Sequence, residues 1–288
     1  MKMDDILIKI FIGIIVTIIQ YTANKLGTYC SRHYPWQRRL VLVASTAIWV
    51  IINVATYAMI EMSYLPPNIL QFVTLLSSVI ILILLWKHIY NYWSVGVVGA
   101  DCQVGKGIDY KRSLELVHNK FAFLGIGASK LTKLTNEFEA AMKRCRSDKP
   151  IRFLLLKPTD KNLTDASQRA GKDKSEYKIN VINSLRTIAN MHEHRKFNIQ
   201  VRFYPERPGG TVSIIPIFRL LFIDNKICLL SYNALGEGGG PELPQLHLVP
   251  AKNDGKASAS FYYAMERYYE SLWEQSDSWD FKEFINNE

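Results

Sequence analysis

Cysteine pairs, cysteine–histidine metal spacings and a Walker or dinucleotide glycine loop are all missing from this chain. Its four cysteines (Cys30, Cys102, Cys145 and Cys228) are scattered without a CxxC pair, and no histidine stands at metal-ligand spacing from them. That pattern argues against a disulfide framework or a zinc site and for reduced thiols, so neither a metal nor a cofactor is expected. No GxGxxG and no Walker lysine spacing occurs, which removes the common dinucleotide and nucleoside-triphosphate loops. Zinc-finger spacing, an RNP-type aromatic motif and long Lys/Arg runs are absent too, and nucleic acid is not an expected partner.

Charge is scarce at the front of the chain. Residues 1–93 carry seven of the 35 basic and three of the 26 acidic side chains. Three apolar stretches fill that region: Ile6 to Tyr21 (a span of about 6–22), Leu40 to Met62 and Ile69 to about Trp93. The second and third reach the ~20 residues that an α-helix needs to cross a bilayer. The third ends in Lys87, His88, Tyr90, Tyr92 and Trp93, the cationic and aromatic mixture expected at a headgroup boundary. The first is shorter and includes Lys9, which is close enough to an end to snorkel. A cleaved signal peptide is the rival reading of that stretch, but Asp4 and Asp5 replace its positive region and no small-residue cleavage site follows.

Loop charge sets the orientation, because short cytoplasmic loops collect Lys and Arg. The loop between the first two stretches holds Lys25, Arg32, Arg38 and Arg39, whereas Ser63–Asn68, with its Pro66-Pro67 turn, holds none. The expectation is a multi-pass protein of the inner (cell) membrane, N-terminus outside and C-terminal domain cytoplasmic. A glycine-rich linker, 94–107, would join it to a domain over 108–288.

That domain alternates strand-like and helix-like periodicity. Strands are expected at Lys120–Gly127, Ile151–Leu156, Ile199–Tyr204, Arg219–Ile223, Ile227–Tyr232 and Leu243–Val249, and helices at 130–146, before 196 and at 258–275. Asp224-Asn225-Lys226 between two apolar runs reads as a hairpin turn. The fold class is a membrane α-helical region followed by an α/β domain with a mixed sheet covered by helices.

The order of elements around FRLLFIDNKICLLSYN resembles the phospholipase D-like fold. The resemblance covers roughly residues 108–275. In that family a strand carries His-x-Lys-x(4)-Asp and is followed by Gly/Ser-x-Asn. With Asp224 as the motif aspartate, Ile217 stands where the nucleophilic histidine belongs, Arg219 replaces the lysine and Asn233 matches the asparagine. His118 and His194 each precede a lysine but lack the aspartate. An isoleucine cannot be a nucleophile, so the resemblance implies a catalytically degenerate site with no enzymatic activity.

What remains is a set of donors and cations at strand ends: Gly127, Ser129 and Lys130 before a helix, Lys157 after a strand, Arg202 and Tyr204, Arg219, Ser231 and Asn233, and Gln245 with His247 on the last strand. Such a set suits a phosphate and a base. Plainer readings stand beside it: Gly125-x-Gly127 as close packing, Arg219 paired with a carboxylate, His247 as a satisfied core histidine, and Lys143, Arg144 and Arg146 as a solvated face. The net charge of +9 favours anionic partners of either kind.

Membrane helices joined to such a domain resemble bacterial anti-phage effectors, in which a cyclic nucleotide controls membrane disruption. The expected partners are therefore the lipid bilayer, a cyclic nucleotide or other phosphate-bearing small ligand, and further copies of the chain in a homo-oligomer. A phosphodiesterase or phospholipase-type membrane enzyme with an atypical site, and a membrane-anchored scaffold, are the alternatives.

Overall fold

The computed structural model describes residues 92–146, 148–159, 161–169, 171–204, 217–232, 240–251 and 260–284, with a few isolated earlier positions. The chain divides into two units, Met1–Trp93 and Ser94–Glu288. Among the described residues no helix is long and apolar enough to cross a membrane. The three expected spans lie almost wholly outside those residues.

The second unit is one mixed sheet with helices on both faces. In chain order it runs β1 (Val97–Asp101), α1 (Tyr110–Glu115), β2 (Phe121–Leu124), α2 (Ser129–Thr132), α3 (Thr135–Arg144), β3 (Ile151–Leu155), α4 (Lys161–Arg169) and α5 (Glu176–Glu193). It continues β4 (Ile199–Phe203), β5 (Phe218–Ile223), β6 (Ile227–Tyr232), β7 (Gln245–Leu248), α6 (Phe261–Glu274) and β8 (Asp277–Ser278). The strand order is β1-β7-β6-β5-β2-β3-β4-β8. Only β2, β3 and β4 pair in parallel, each joined to the next through helices, as parallel neighbours require. All other pairings are antiparallel.

Residue alternation assigns the two faces. Phe121, Phe153 and the α3 residue Phe138 pack together, with centroids 5.5 and 5.9 Å apart, so α3 covers the face of Phe121, Phe123 and Phe153. The opposite face carries Phe222, whose ring meets Tyr262 and Tyr269 of α6 at 5.8 and 5.6 Å. Both faces are buried, which explains why β2 reads as an unbroken apolar run and β3 and β5 as apolar runs broken only by Arg152 and Arg219.

Residues 94–107 are not a free linker. Val97–Asp101 is an edge strand that pairs with β7, and the Asp101 carboxylate accepts the Ile108 N–H at 2.9 Å. The periodicity hides β1 because its glycine leaves little hydrophobic pattern. Helix α1 is started by Asp109, whose side chain accepts the Arg112 N–H at 2.8 Å. The expected helix at 130–146 is instead two, α2 and α3, separated at Lys133-Leu134. Helix α4 lies in a stretch too polar to show an apolar stripe.

Asp224 joins the two halves of the sheet. It and Asn225 sit in the β5–β6 turn at φ 55° and 54°, the positive values of a type I′ turn. From there the Asp224 carboxylate accepts the N–H groups of His118, Asn119 and Lys120 at 3.1, 2.7 and 3.0 Å, just before β2. Asp224→Ala should therefore destabilise the domain by about 1–2 kcal/mol, toward the low end for bonds to a charged group because the site is half exposed. A lowered urea midpoint is the expected readout; an unchanged one would remove this link from the fold.

Candidate functional site

Arg219 begins one residue into β5, and its side chain lies in the sheet interior, 9% exposed. It lines the floor of an open cleft of about 180 Å³. The β2–α2 turn forms one wall (Ile126, Gly127, Ser129), and the first turns of α5 form the other (Glu176, Tyr177, Asn180, Val181). Tyr110, Phe123, Gly240 and Leu243 complete the lining, with Lys130, Lys133 and Lys172 also bordering it.

The Arg219 guanidinium donates to the Tyr110 hydroxyl and, at 3.4 and 3.3 Å, to the Gly240 carbonyl. It also stands over the Tyr110 ring, 5.3 Å from its centroid. Among the described residues it pairs with no carboxylate. Burial pushes its proton affinity down, opposed by Tyr110, yet arginine stays charged in proteins. Burial likewise pushes the Tyr110 phenol up, with Arg219 pulling the other way. Tyr110 is thus a neutral phenol at neutral pH and supplies no counter-charge. A charge held this far from water without an ion partner is costly, and an entering anion would relieve that cost.

The neighbouring lysines differ. Lys172 is neutralised by an ion pair with Glu176, four residues on, and its ammonium lies over the Tyr177 ring at 5.5 Å. Lys130 and Lys133 make no ion pair among the described residues, so the cleft keeps a cationic excess.

The structure brings together only some of the residues expected to bind ligand. Gly127, Ser129, Lys130 and Arg219 share the cleft. A Cβ on Gly127 would stand 2.8 Å from Val181 Cγ2, so this glycine serves close packing of α5 against the turn. Ser231, Gln245 and His247 share the sheet face of Arg219 by register, Arg219 opposite Ser231 and Ser231 opposite Gln245. Their side chains are committed elsewhere. The Ser231 hydroxyl donates to the Pro244 carbonyl at 2.8 Å and the Gln245 amide to the Ile108 carbonyl at 3.0 Å. His247 is fully buried against Asp101 at 2.7 Å.

Arg202 and Tyr204 lie on the opposite face and are not part of the site. Arg202 donates to the Trp273 carbonyl at 2.6 Å and stacks on the Trp273 ring at 4.9 Å, capping the end of α6. The Tyr204 hydroxyl bonds that of Tyr268 at 2.9 Å, and burial raises its affinity for the proton. Lys157 follows β3 and does not line the cleft. Asn233 lies outside the described residues. Ile217, at the position expected for a nucleophile, is an exposed apolar side chain, 62% accessible. The described cysteines offer no substitute near the cleft: burial pushes the Cys145 thiol up to about 12 and holds Cys228 well above its usual range.

Tyr110, Gly240, Tyr177 and Asn180 were not expected in the site. Asp109 as a helix start was the available signal for Tyr110, and the α5 residues gave none, since their place follows from how α5 packs on Gly127.

No protein-family model matches this chain, and no curated protein matches it. Among solved structures it is similar to the phosphatidylserine synthase of Haemophilus influenzae Rd KW20, at 10% identity and TM-score 0.44 over 64% of this chain and 40% of that one. It is also similar to NucT from Helicobacter pylori, at 11% identity and TM-score 0.36 over 59% of this chain and 88% of that one. The chain thus spans less than half of the synthase. At identities and scores this low, neither likeness decides a ligand or a reaction. The observed mixed α/β sheet covered by helices is the fold class expected from the alternation of strand-like and helix-like segments.

Gly240 fixes the arginine from above. A Cβ there would fall 2.7 Å from Arg219 Nη1 and 2.9 Å from the Tyr110 hydroxyl. Gly240→Ala should therefore displace the guanidinium and weaken binding of any anion in the cleft by about tenfold, a typical loss for one charge-assisted contact. Titration with inorganic phosphate, wild type against variant, checks this.

Proposed function

We propose that this chain is a multi-pass membrane effector whose C-terminal α/β domain faces the cytoplasm and binds a phosphate-bearing nucleotide in the Arg219 cleft without cleaving it. Occupancy of the cleft then controls membrane disruption by the N-terminal part, in the manner of the anti-phage effectors that the sequence resembles. The observation that carries the binding half is a buried guanidinium without a carboxylate partner among the described residues, set in a cleft with two unpaired lysines. The membrane half rests on the long apolar stretches of residues 1–93 and the basic asymmetry of their loops.

The absence of cleavage follows from Ile217 at the nucleophile position of a phospholipase D-like strand. A cation kept at position 219, arginine in place of the motif lysine, with the nucleophile lost, turns a phosphodiester-cleaving cleft into a phosphodiester-holding one. The planar fork of an arginine grips two phosphate oxygens where a lysine offers a point charge. Control of the membrane part requires that the ligand bind two arrangements of the protein unequally. The step from fold to defence role is analogy.

Calorimetry on the full chain in detergent, against a panel of cyclic and linear nucleotides, tests this. Arg219→Ala should weaken binding about ten- to a hundredfold. Arg202→Ala should lower thermal stability and leave affinity within a factor of about two, because that arginine serves α6 on the other face. The ligand should be recovered intact after prolonged incubation. A panel without a binder, or turnover lost on changing Arg219, would sink the reading.

Topology is checked separately. Reporters fused at the C-terminus and within 25–39 should read cytoplasmic, and one within 63–68 external. An external C-terminus would remove a cytosolic messenger from consideration.

A further inference from the structure

The cleft has a second chemical end that phosphate does not use. Its α5 wall presents Glu176, Tyr177, Asn180 and Val181, residues that a 3.6-residue turn places on one helix face. The Tyr177 ring meets the exposed Lys172 ammonium 5.5 Å from its centroid. Asn180 uses its backbone carbonyl to accept the Ser184 hydroxyl, at 2.7 Å, but its side-chain amide makes no bond among the described residues. An aromatic face and a free carboxamide, next to each other and bordering the same cleft as a buried guanidinium, are the two groups that proteins use to stack a base and to read its edge.

From this juxtaposition we infer that the cleft takes one nucleotide unit, its phosphate on Arg219 and its base on Tyr177 and Asn180. The inference rests on the proposed binding reading and adds the orientation and size class of the ligand. Charge gives the orientation: among the described residues Arg219, Lys130 and Lys133 are the cations without an ion partner, whereas on the α5 wall Glu176 and Lys172 cancel each other and leave no net charge to hold a phosphate. Volume gives the size. The cleft holds about 180 Å³, below the ~300–1,000 Å³ of pockets that enclose a drug-sized molecule, so it seats one phosphate and one base at most, not two nucleotides. In a ring of several nucleotides one unit would be seated and the rest would face solvent. The base takes the place of the Lys172 ammonium over Tyr177. Lys172 is solvent-exposed and keeps its Glu176 partner within reach, so this exchange opposes binding weakly.

The test uses the full chain in detergent with inorganic phosphate, ribose 5-phosphate and the four nucleoside 5′-monophosphates as probes. At least one nucleotide should bind about tenfold more tightly than ribose 5-phosphate, the worth of one stacked base. Tyr177→Ala should abolish that difference and Tyr177→Phe should keep it. Asn180→Ala should flatten the preference among the four bases, and neither alanine variant should change phosphate affinity. Equal binding of ribose 5-phosphate and every nucleotide, or a nucleotide preference that survives Tyr177→Ala, overturns the inference and leaves the anion site standing. Failure of every phosphate compound to bind, or phosphate binding insensitive to Arg219→Ala, overturns the anion site itself. A variant that loses phosphate affinity together with base preference counts as unfolding only if its thermal midpoint also falls; at an unchanged midpoint it too overturns the separate base end.

Discussion

The carboxylate of Asp224 is the interaction on which the rest of the C-terminal unit depends. The antiparallel strands β1, β7, β6 and β5 and the parallel strands β2, β3 and β4 meet at a single seam, β5 against β2. Three N–H groups at the start of β2 converge on Asp224, at the far end of β5, and fix the register of that seam. Register then decides which side chains face the cleft. With Phe121 opposite Ile223 and Phe123 opposite Leu221, Arg219 falls just beyond Leu220 on the Phe123 face. A slip of one residue would send the arginine to the α6 face, where Tyr262 and Tyr269 leave no room for it.

The same alternation divides the cations between two tasks. On the α6 face, Arg152 and Arg202 flank Trp273, with guanidinium carbons 5.1 and 4.9 Å from its ring. Arg152 also pairs with Glu270 of α6 at 2.8 Å. Both charges are answered by helix residues or helix carbonyls, so they hold α6 to the sheet. On the other face, among the described residues, Arg219 is answered only by a neutral phenol and a peptide carbonyl. The half-buried Arg152 and Arg202 and the buried Arg219 thus differ in role because of what the opposing layer offers them.

Most of the sheet was legible in the sequence, and for a physical reason. Strands buried on both faces, such as FAFL and IRFLL, stand out as apolar runs wherever they occur. The hairpin was legible because Asp-Asn supports the positive φ that its turn requires. The edge strand β1, the six-residue α1 and the polar α4 were not, since each is fixed by tertiary bonds and carries little pattern of its own. Of the candidate cleft, Arg219 was legible through the motif strand and the β2–α2 turn as a strand end before a helix start. The placement of Arg202 with them was not correct: strand ends near one another in sequence order can still present their side chains to opposite faces. Tyr177 and Asn180 reach the cleft only through the packing of α5, which a linear pattern does not encode.

The C-terminal unit is tied down from its first residues. Ser94, Val95 and Gly96 precede β1, and their backbone is already held: Val249 donates to the Gly96 carbonyl at 2.8 Å and Phe261 to the Val95 carbonyl at 2.9 Å. Gly96 turns there at φ 85°, where a side chain would stand 2.5 Å from the Val249 carbonyl. Tension arriving along the chain at Ser94 is therefore borne by hydrogen bonds to the end of β7 and the first turn of α6, not absorbed by an entropic spring. Within the C-terminal unit, strain in the β7–α6 corner and displacement of its first residues are therefore mechanically coupled.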